Sequence, residues 1–163
     1  MDYLWSPWRY RYVSSAAADD SCLFCRVASD ANDRANYVLL RAARNFIVLN
    51  RYPYTSGHLM IAPYAHVATI EDADPADLAE MMSLAQAAES ALRRVYRPDG
   101  LNLGMNIGRT AGAGVAGHIH LHLLPRWSGD VNFMTVVGET RVLPEDLETS
   151  FEKLSAVFKP PGA

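Results

Sequence analysis

The sequence predicts an α+β domain built on an antiparallel sheet. Three observations lead there. Short β-prone runs follow one another without strict alternation with helices. One segment, 74–96, carries apolar residues at helical spacing between clear start and stop signals. Residues 118–124, His-Ile-His-Leu-His-Leu-Leu, alternate imidazole with branched apolar side chains, as a half-buried strand does. A chain of 163 residues that is half apolar and one-fifth charged can bury one proper core. The reading is a single domain over 1–163, with an aromatic, arginine-rich leader at 1–18 and a tail at 159–163.

Taken in order, the β-prone runs 37–40 and Asn45–Leu49 flank Arg41 to Arg44 as a hairpin candidate. Residues 51–57 contain Pro53 and Gly57 and read as a loop, and 58–62 is a strand stopped by Pro63. In the long helix, Asp74 is the N-cap, Pro75 the first helical residue and Asp77 an acid in the first turn. Leu78, Met81, Met82, Ala85, Leu92 and Val95 form its apolar stripe, and Pro98 and Gly100 end it. Strands are expected at 101–107, at 118–124 ending at Pro125, and at 133–137. A C-terminal helix is expected at Leu147–Phe158.

Bulk properties exclude some functions. A net charge of −3 leaves no broad basic surface for duplex nucleic acid. No stretch approaches the roughly 20 apolar residues of a membrane span. The leader has no apolar signal core, so a cytoplasmic location is the expectation.

The chemistry concentrates at 118–122, which hold three of the chain's five histidines. On a strand His118, His120 and His122 share one face while Ile119, Leu121 and Leu123 face a core. Imidazole titrates near neutrality, attacks as a nucleophile and ligates metals. Two arrangements are open on the residues alone. All three could hold one catalytic metal. Alternatively one joins Cys22 and Cys25, spaced Cys-Leu-Phe-Cys, in a structural zinc site while another is a nucleophile. His66, after the Pro63-Tyr64-Ala65 turn, is a reasonable third ligand, and the fourth is ambiguous. Gly112-Ala113-Gly114-Val115-Ala116-Gly117 matches G-x-G-x-x-G, but a strand pattern follows where a dinucleotide site needs a helix. A phosphate concavity built from Gly112 and Gly114 amides suits the segment better.

His-Ile-His-Leu-His-Leu-Leu resembles the histidine triad (HIT) pattern at every position. Cys-Leu-Phe-Cys at 22–25, Val48-Leu49-Asn50, the run from Gly57 to Val67, Asn102 to Asn106 and Leu124-Pro125-Arg126-Trp127 are similar to further segments of that family, in order. The Leu4-Trp5-Ser6-Pro7-Trp8-Arg9 leader and the stretch from Pro125 to Phe133 look more like its bacterial dinucleoside polyphosphate phosphorylase/hydrolase branch. The resemblance implies a five-stranded antiparallel sheet with one long central helix and a C-terminal helix, in a homodimer. It implies zinc on Cys22, Cys25, His66 and His118. His120 would be the nucleophile, and His122 a phosphate contact. Asn50 would stand at the ribose position and Asn106 at a phosphate position.

The implied reaction is transfer of a nucleotidyl group from a dinucleoside polyphosphate such as diadenosine tetraphosphate through His120, to water or phosphate. His122, glycine-loop amides and Arg126 would stabilise phosphoryl charge. Trp127, like Trp5 and Trp8, could stack on a base. Alternatives are a nucleoside phosphoramidase and a low-turnover nucleotide-binding protein. One departure stands out: Gly114-Val115 replaces the Gln-Ser that many members carry before the triad, which leans weakly towards phosphate as acceptor.

Overall fold

The computed structural model describes residues 21–130 and 143–158. The expected strand at 133–137 and the leader therefore lie outside the described residues. Helices α1 (Leu23–Ser29) and α2 (Asp33–Asn36) lead into strands β1 (Val38–Arg41), β2 (Asn45–Leu49) and β3 (Leu59–Pro63). Helix α3 (Pro75–Tyr96), strands β4 (Gly100–Gly104) and β5 (Leu121–Arg126) and helix α4 (Leu147–Phe158) complete the order. The five strands form one sheet in the order β1-β2-β3-β5-β4, antiparallel at every pairing. The five-stranded α+β expectation, with a long and a C-terminal helix, is met.

Both faces of the sheet are covered, and the pattern of β2 and β3 shows why. All five residues of each strand are buried. Ile47, Leu49, Leu59 and Ile61 join Met81, Ala85, Ala88 and Leu92 of α3 and Phe151 and Leu154 of α4 in one core. Phe46, Val48, Met60 and Ala62 point the other way and pack with Phe24 and Val27 of α1. Burying each large aliphatic or aromatic side chain contributes about 1.5–3 kcal/mol, so two such layers fix the register firmly. A one-residue slip would turn every side chain to the wrong layer.

Helix α3 begins as its sequence predicts. Asp74 accepts from the Ala76 N–H at 2.8 Å, and Pro75 occupies the first position. Buried Asp77 pairs with Arg44 at 2.6 Å. The helix ends at Arg97, which takes the left-handed conformation (φ 46°). Helix α4 is tied to α2 by Arg34, which pairs with Glu148 and Glu152.

Several strand boundaries differ from the sequence reading. Pro63 and Pro125 sit inside the ends of β3 and β5 rather than beyond them; Pro63 pairs with Asn45 and Pro125 with Leu101. Proline is tolerated at strand ends, where a ladder donor is dispensable. Strand β4 stops at Gly104 instead of 107. The histidine segment joins the ladder only at Leu121. Before it, the Ile119 N–H donates to the Val67 carbonyl at 2.8 Å, so the chain there is held from outside the sheet. The alternation still holds: Ile119, Leu121 and Leu123 lie in the helix-covered core.

Gly57 closes the β2–β3 connection with φ +74°, and a Cβ there would lie 2.7 Å from Cε2 of Tyr96. Both the backbone conformation and the close ring exclude a side chain. Gly57→Ala should therefore destabilise the fold by about 1–3 kcal/mol, read as a lower urea midpoint with an unchanged slope.

Candidate active site and metal centre

The sheet face opposite α3 carries the histidines. Strand β5 pairs His122 with Met60 of β3 on one side and with Gly104 of β4 on the other. All three triad imidazoles are buried. Phe24 of α1 covers two of them, its ring 5.2 Å from that of His118 and 4.8 Å from that of His120.

At one end of the triad, His118 meets the cysteine pair. Cys22 is the N-cap of α1, and Cys25 lies one turn along on the same side. His118 Nδ1 is 3.3 Å from Cys22 Sγ and 3.7 Å from Cys25 Sγ, and His66 Nδ1 is 3.3 Å from Cys25 Sγ. The four potential ligand atoms lie within 4.8 Å of one another. Zinc bonds of 2.0–2.3 Å in a tetrahedron separate ligand atoms by about 3.3–3.8 Å, so the donor set fits that ion. The Ile119–Val67 hydrogen bond aligns His66 with His118 across the gap. His118 Nε2–H donates to the Pro63 carbonyl at 2.9 Å, which leaves Nδ1 as the lone pair facing the thiols. Of the two arrangements open in the sequence, the cysteine–histidine cluster is the one formed. His120 and His122 turn to other partners.

Those partners fix which nitrogen of each ring carries the proton. A carbonyl can only accept, so the 2.9 Å contact between His120 Nδ1 and the His118 carbonyl puts the proton on Nδ1. Nε2 of His120 is left as a lone pair. The fifth histidine fixes His122. His58 Nδ1 accepts from the Tyr54 N–H at 3.2 Å and faces the Asn50 amide nitrogen at 3.3 Å. Its proton is therefore on Nε2, which donates to His122 Nδ1 at 2.9 Å. His122 in turn holds its proton on Nε2. The result is an unprotonated nitrogen on His120 and a donor on His122, with ring centroids 4.8 Å apart.

Burial keeps these rings neutral. It lowers His58 to a pKa of about 3, reinforced by His122 and His120, and His122 to about 4, reinforced by His120. Burial also lowers His120 against the opposing effect of the His118 carbonyl.

The remaining sequence candidates divide. The Asn50 side-chain oxygen accepts from the Tyr52 N–H, so it caps the loop beside His58. Asn106 is half-buried two residues past Gly104, the partner of His122. The loop holds a short 3-10 turn (Arg109–Ala111) between Gly108 and Gly112, both at positive φ. The amides of Gly112 and Ala113 donate within that turn, to Arg109 and Gly108. The Gly114 amide meets no acceptor among the described residues, so it, and not Gly112, offers a donor. Arg126 is engaged by Asp130 through two contacts of 2.5 and 3.0 Å and by Asn102 at 2.8 Å, which holds it at the sheet edge. Trp127 donates its indole N–H to the Tyr96 carbonyl at 3.3 Å.

Sequence reasoning gave His58, Tyr54 and Phe24 no role. His58 was legible: alternation along β3 puts it on the face of Met60, the partner of His122. Tyr54 and Phe24 were not, because only the folded loop and α1 bring them to the imidazoles.

The HIT domain family model matches residues 33–129. The chain is 37% identical over 150 residues to a Mycobacterium tuberculosis protein named AP-4-A phosphorylase, covering 87% of this chain and 76% of that protein. A zinc-bound histidine triad family protein from Mycobacterium smegmatis superposes with a TM-score of 0.69 at 31% identity, over 85% of this chain and 93% of that one. A hypothetical histidine triad nucleotide-binding protein from Sulfolobus tokodaii gives 0.65 at 28%, over 84% and 89%. Among the described residues, no helix is long and apolar enough to cross a membrane.

The neutral His58–His122 pair has a consequence for stability. Unfolded, each ring takes a proton near pH 6.5; folded, neither does until about pH 4. The unfolded chain thus binds more protons between those values, and stability falls as pH drops below 6.5. Urea midpoints at pH 7.5, 6.0 and 5.0 should decline, and decline less in a His58→Gln variant.

Proposed function

From the premise that this chain belongs to the histidine triad family, we propose that it cleaves dinucleoside polyphosphates such as diadenosine tetraphosphate by nucleotidyl transfer through His120. The family's chemistry is that of nucleotide-binding hydrolases and transferases. The observation that carries the reading is the lone pair on His120 Nε2, left there because Nδ1–H is held by the His118 carbonyl.

In the first step that lone pair attacks an α-phosphorus. A P–N bond forms as the P–O bond to the leaving nucleotide breaks, and the leaving oxygen departs with the electron pair. The ring gains positive charge, which the His118 carbonyl stabilises through Nδ1–H. Nε2–H of His122, set by His58, donates to a phosphoryl oxygen, and the Gly114 amide is a further donor. In the second step water or inorganic phosphate attacks the same phosphorus and the P–N bond breaks, restoring neutral His120. Asn50 beside His58 suits the ribose and Asn106 the phosphate. Val115 in the loop offers no side-chain hydrogen bond to a leaving group. Phosphate as acceptor agrees with the name of the M. tuberculosis relative.

Cys22, Cys25, His66 and His118 would hold zinc, which with four protein ligands supplies structure rather than a reactive position. It would anchor the residue whose carbonyl orients His120. The proposed assembly is a homodimer in the cytoplasm. The edge strand β4 supports the dimer: Leu103 is exposed there, and among the described residues β4 pairs on one side only, which leaves its other edge for a second copy.

Diadenosine tetraphosphate incubated with the protein should give ADP and ATP only when phosphate is present. AMP and ATP from water alone would make it a hydrolase, and no turnover would refute the enzyme reading. His120→Ala should lower turnover at least 10³-fold, roughly the scale of removing a nucleophile, and keep its zinc. Cys22→Ser should lose zinc.

A further inference from the structure

A cavity of about 440 Å³ opens where the β2–β3 connection, the end of α3 and the residues after β5 meet. Tyr54, Ser56, Tyr96, Trp127 and Glu145 are in its wall. We infer that this cavity receives the second nucleoside of the substrate, the one on the leaving side, and that Ser56 is its hydrogen-bonding residue. The inference rests on the dinucleoside reading above and assigns the part of the molecule that the His120 site leaves over.

The wall is aromatic and already fixed. The Trp127 indole is tied to the Tyr96 carbonyl, and the two rings meet edge to face at 6.3 Å. The Tyr96 hydroxyl donates to Glu145 at 2.5 Å. Such surfaces stack on a planar base without further ordering. Charge narrows the ligand. Glu145 is taken up by Tyr96, Ser150 and Lys153, and Asp130 by Arg126, so neither carboxylate calls for a cation. The wall offers a phosphate no uncommitted cation among the described residues. An uncharged heteroaromatic ring with polar edges is the remaining fit, at a volume typical of small-molecule sites.

Ser56 supplies the specific observation. It is 7% exposed, and its hydroxyl has no hydrogen-bond partner among the described residues. Buried hydroxyls are nearly always paired, so an orphan at a cavity wall calls for a ligand. The other such atom among the described residues, Oδ1 of Asn45, lies in the core against α3, where the Asn45 amide meets the Asp77 carbonyl.

Tyr54 joins this cavity to the reacting centre. Its ring stacks on His122 at 6.2 Å and lies 4.7 Å from His58, and it is part of the cavity wall. A polyphosphate lying along His122 would lead its far end to that wall.

The test is calorimetric binding of methylene-bridged, uncleavable diadenosine tetraphosphate and of the matching adenosine tetraphosphate, to the full chain and to Ser56→Ala. The wild-type protein should prefer the dinucleoside by about tenfold. Ser56→Ala should reduce that preference by about fivefold, the scale of one hydrogen bond, with affinity for the mononucleoside compound and the thermal midpoint unchanged or the latter raised. Equal affinities in the wild type, no binding of either compound, or a preference untouched by Ser56→Ala would each overturn the inference. Because binding is read without turnover, tight dinucleoside binding in a protein that cleaves nothing would refute the catalytic reading and leave the pocket standing.

Discussion

The site depends on one hydrogen bond, from Nδ1–H of His120 to the carbonyl of His118. A neutral imidazole has one donor and one acceptor nitrogen, and whichever is bonded decides the role of the other. With Nδ1 committed to the backbone, Nε2 is left as a lone pair. The carbonyl that does this belongs to a residue held twice over, by Pro63 through its Nε2 and beside the thiols through its Nδ1. The cysteine–histidine cluster and the His120 lone pair are thus two ends of one short piece of backbone.

The fold supports that piece from outside the sheet ladder. His118 to His120 precede the first β5 pairing, so ordinary strand hydrogen bonds do not fix them. The Ile119–Val67 bond, Phe24 over the rings and Ile119 in the core do so instead. Freedom from the ladder leaves the His118 carbonyl available to accept from an imidazole. Burial adds the second requirement, keeping the rings unprotonated at neutral pH, because a charged ring there would lose its hydration.

Much of this was legible in the sequence, and for a physical reason. Alternation along 118–124 is a two-residue period, and it separated the histidines from Ile119, Leu121 and Leu123 correctly even though 118–120 lie outside the ladder. Asp74 and Pro75 marked the start of α3 because capping is a local interaction. The zinc-type cluster followed from ligand spacing and family resemblance together. Helix α1 was missed because its seven residues carry too little periodicity. The tautomers could not be read either: they depend on the Pro63 carbonyl, the Tyr54 amide and His58, which are distant in sequence. The same limit explains Gly112 and Arg126, whose residue types suited an anion but whose groups are committed to neighbours in the fold.

The most direct test of this account is to observe the ring protons. Long-range ¹H–¹⁵N correlation spectra of the histidine side chains at pH 7, assigned with single substitutions, report the tautomer of each imidazole. The account predicts neutral His120 with its proton on Nδ1, and neutral His122 and His58 with theirs on Nε2. A proton on Nε2 of His120, or a charged His120 at that pH, would contradict it.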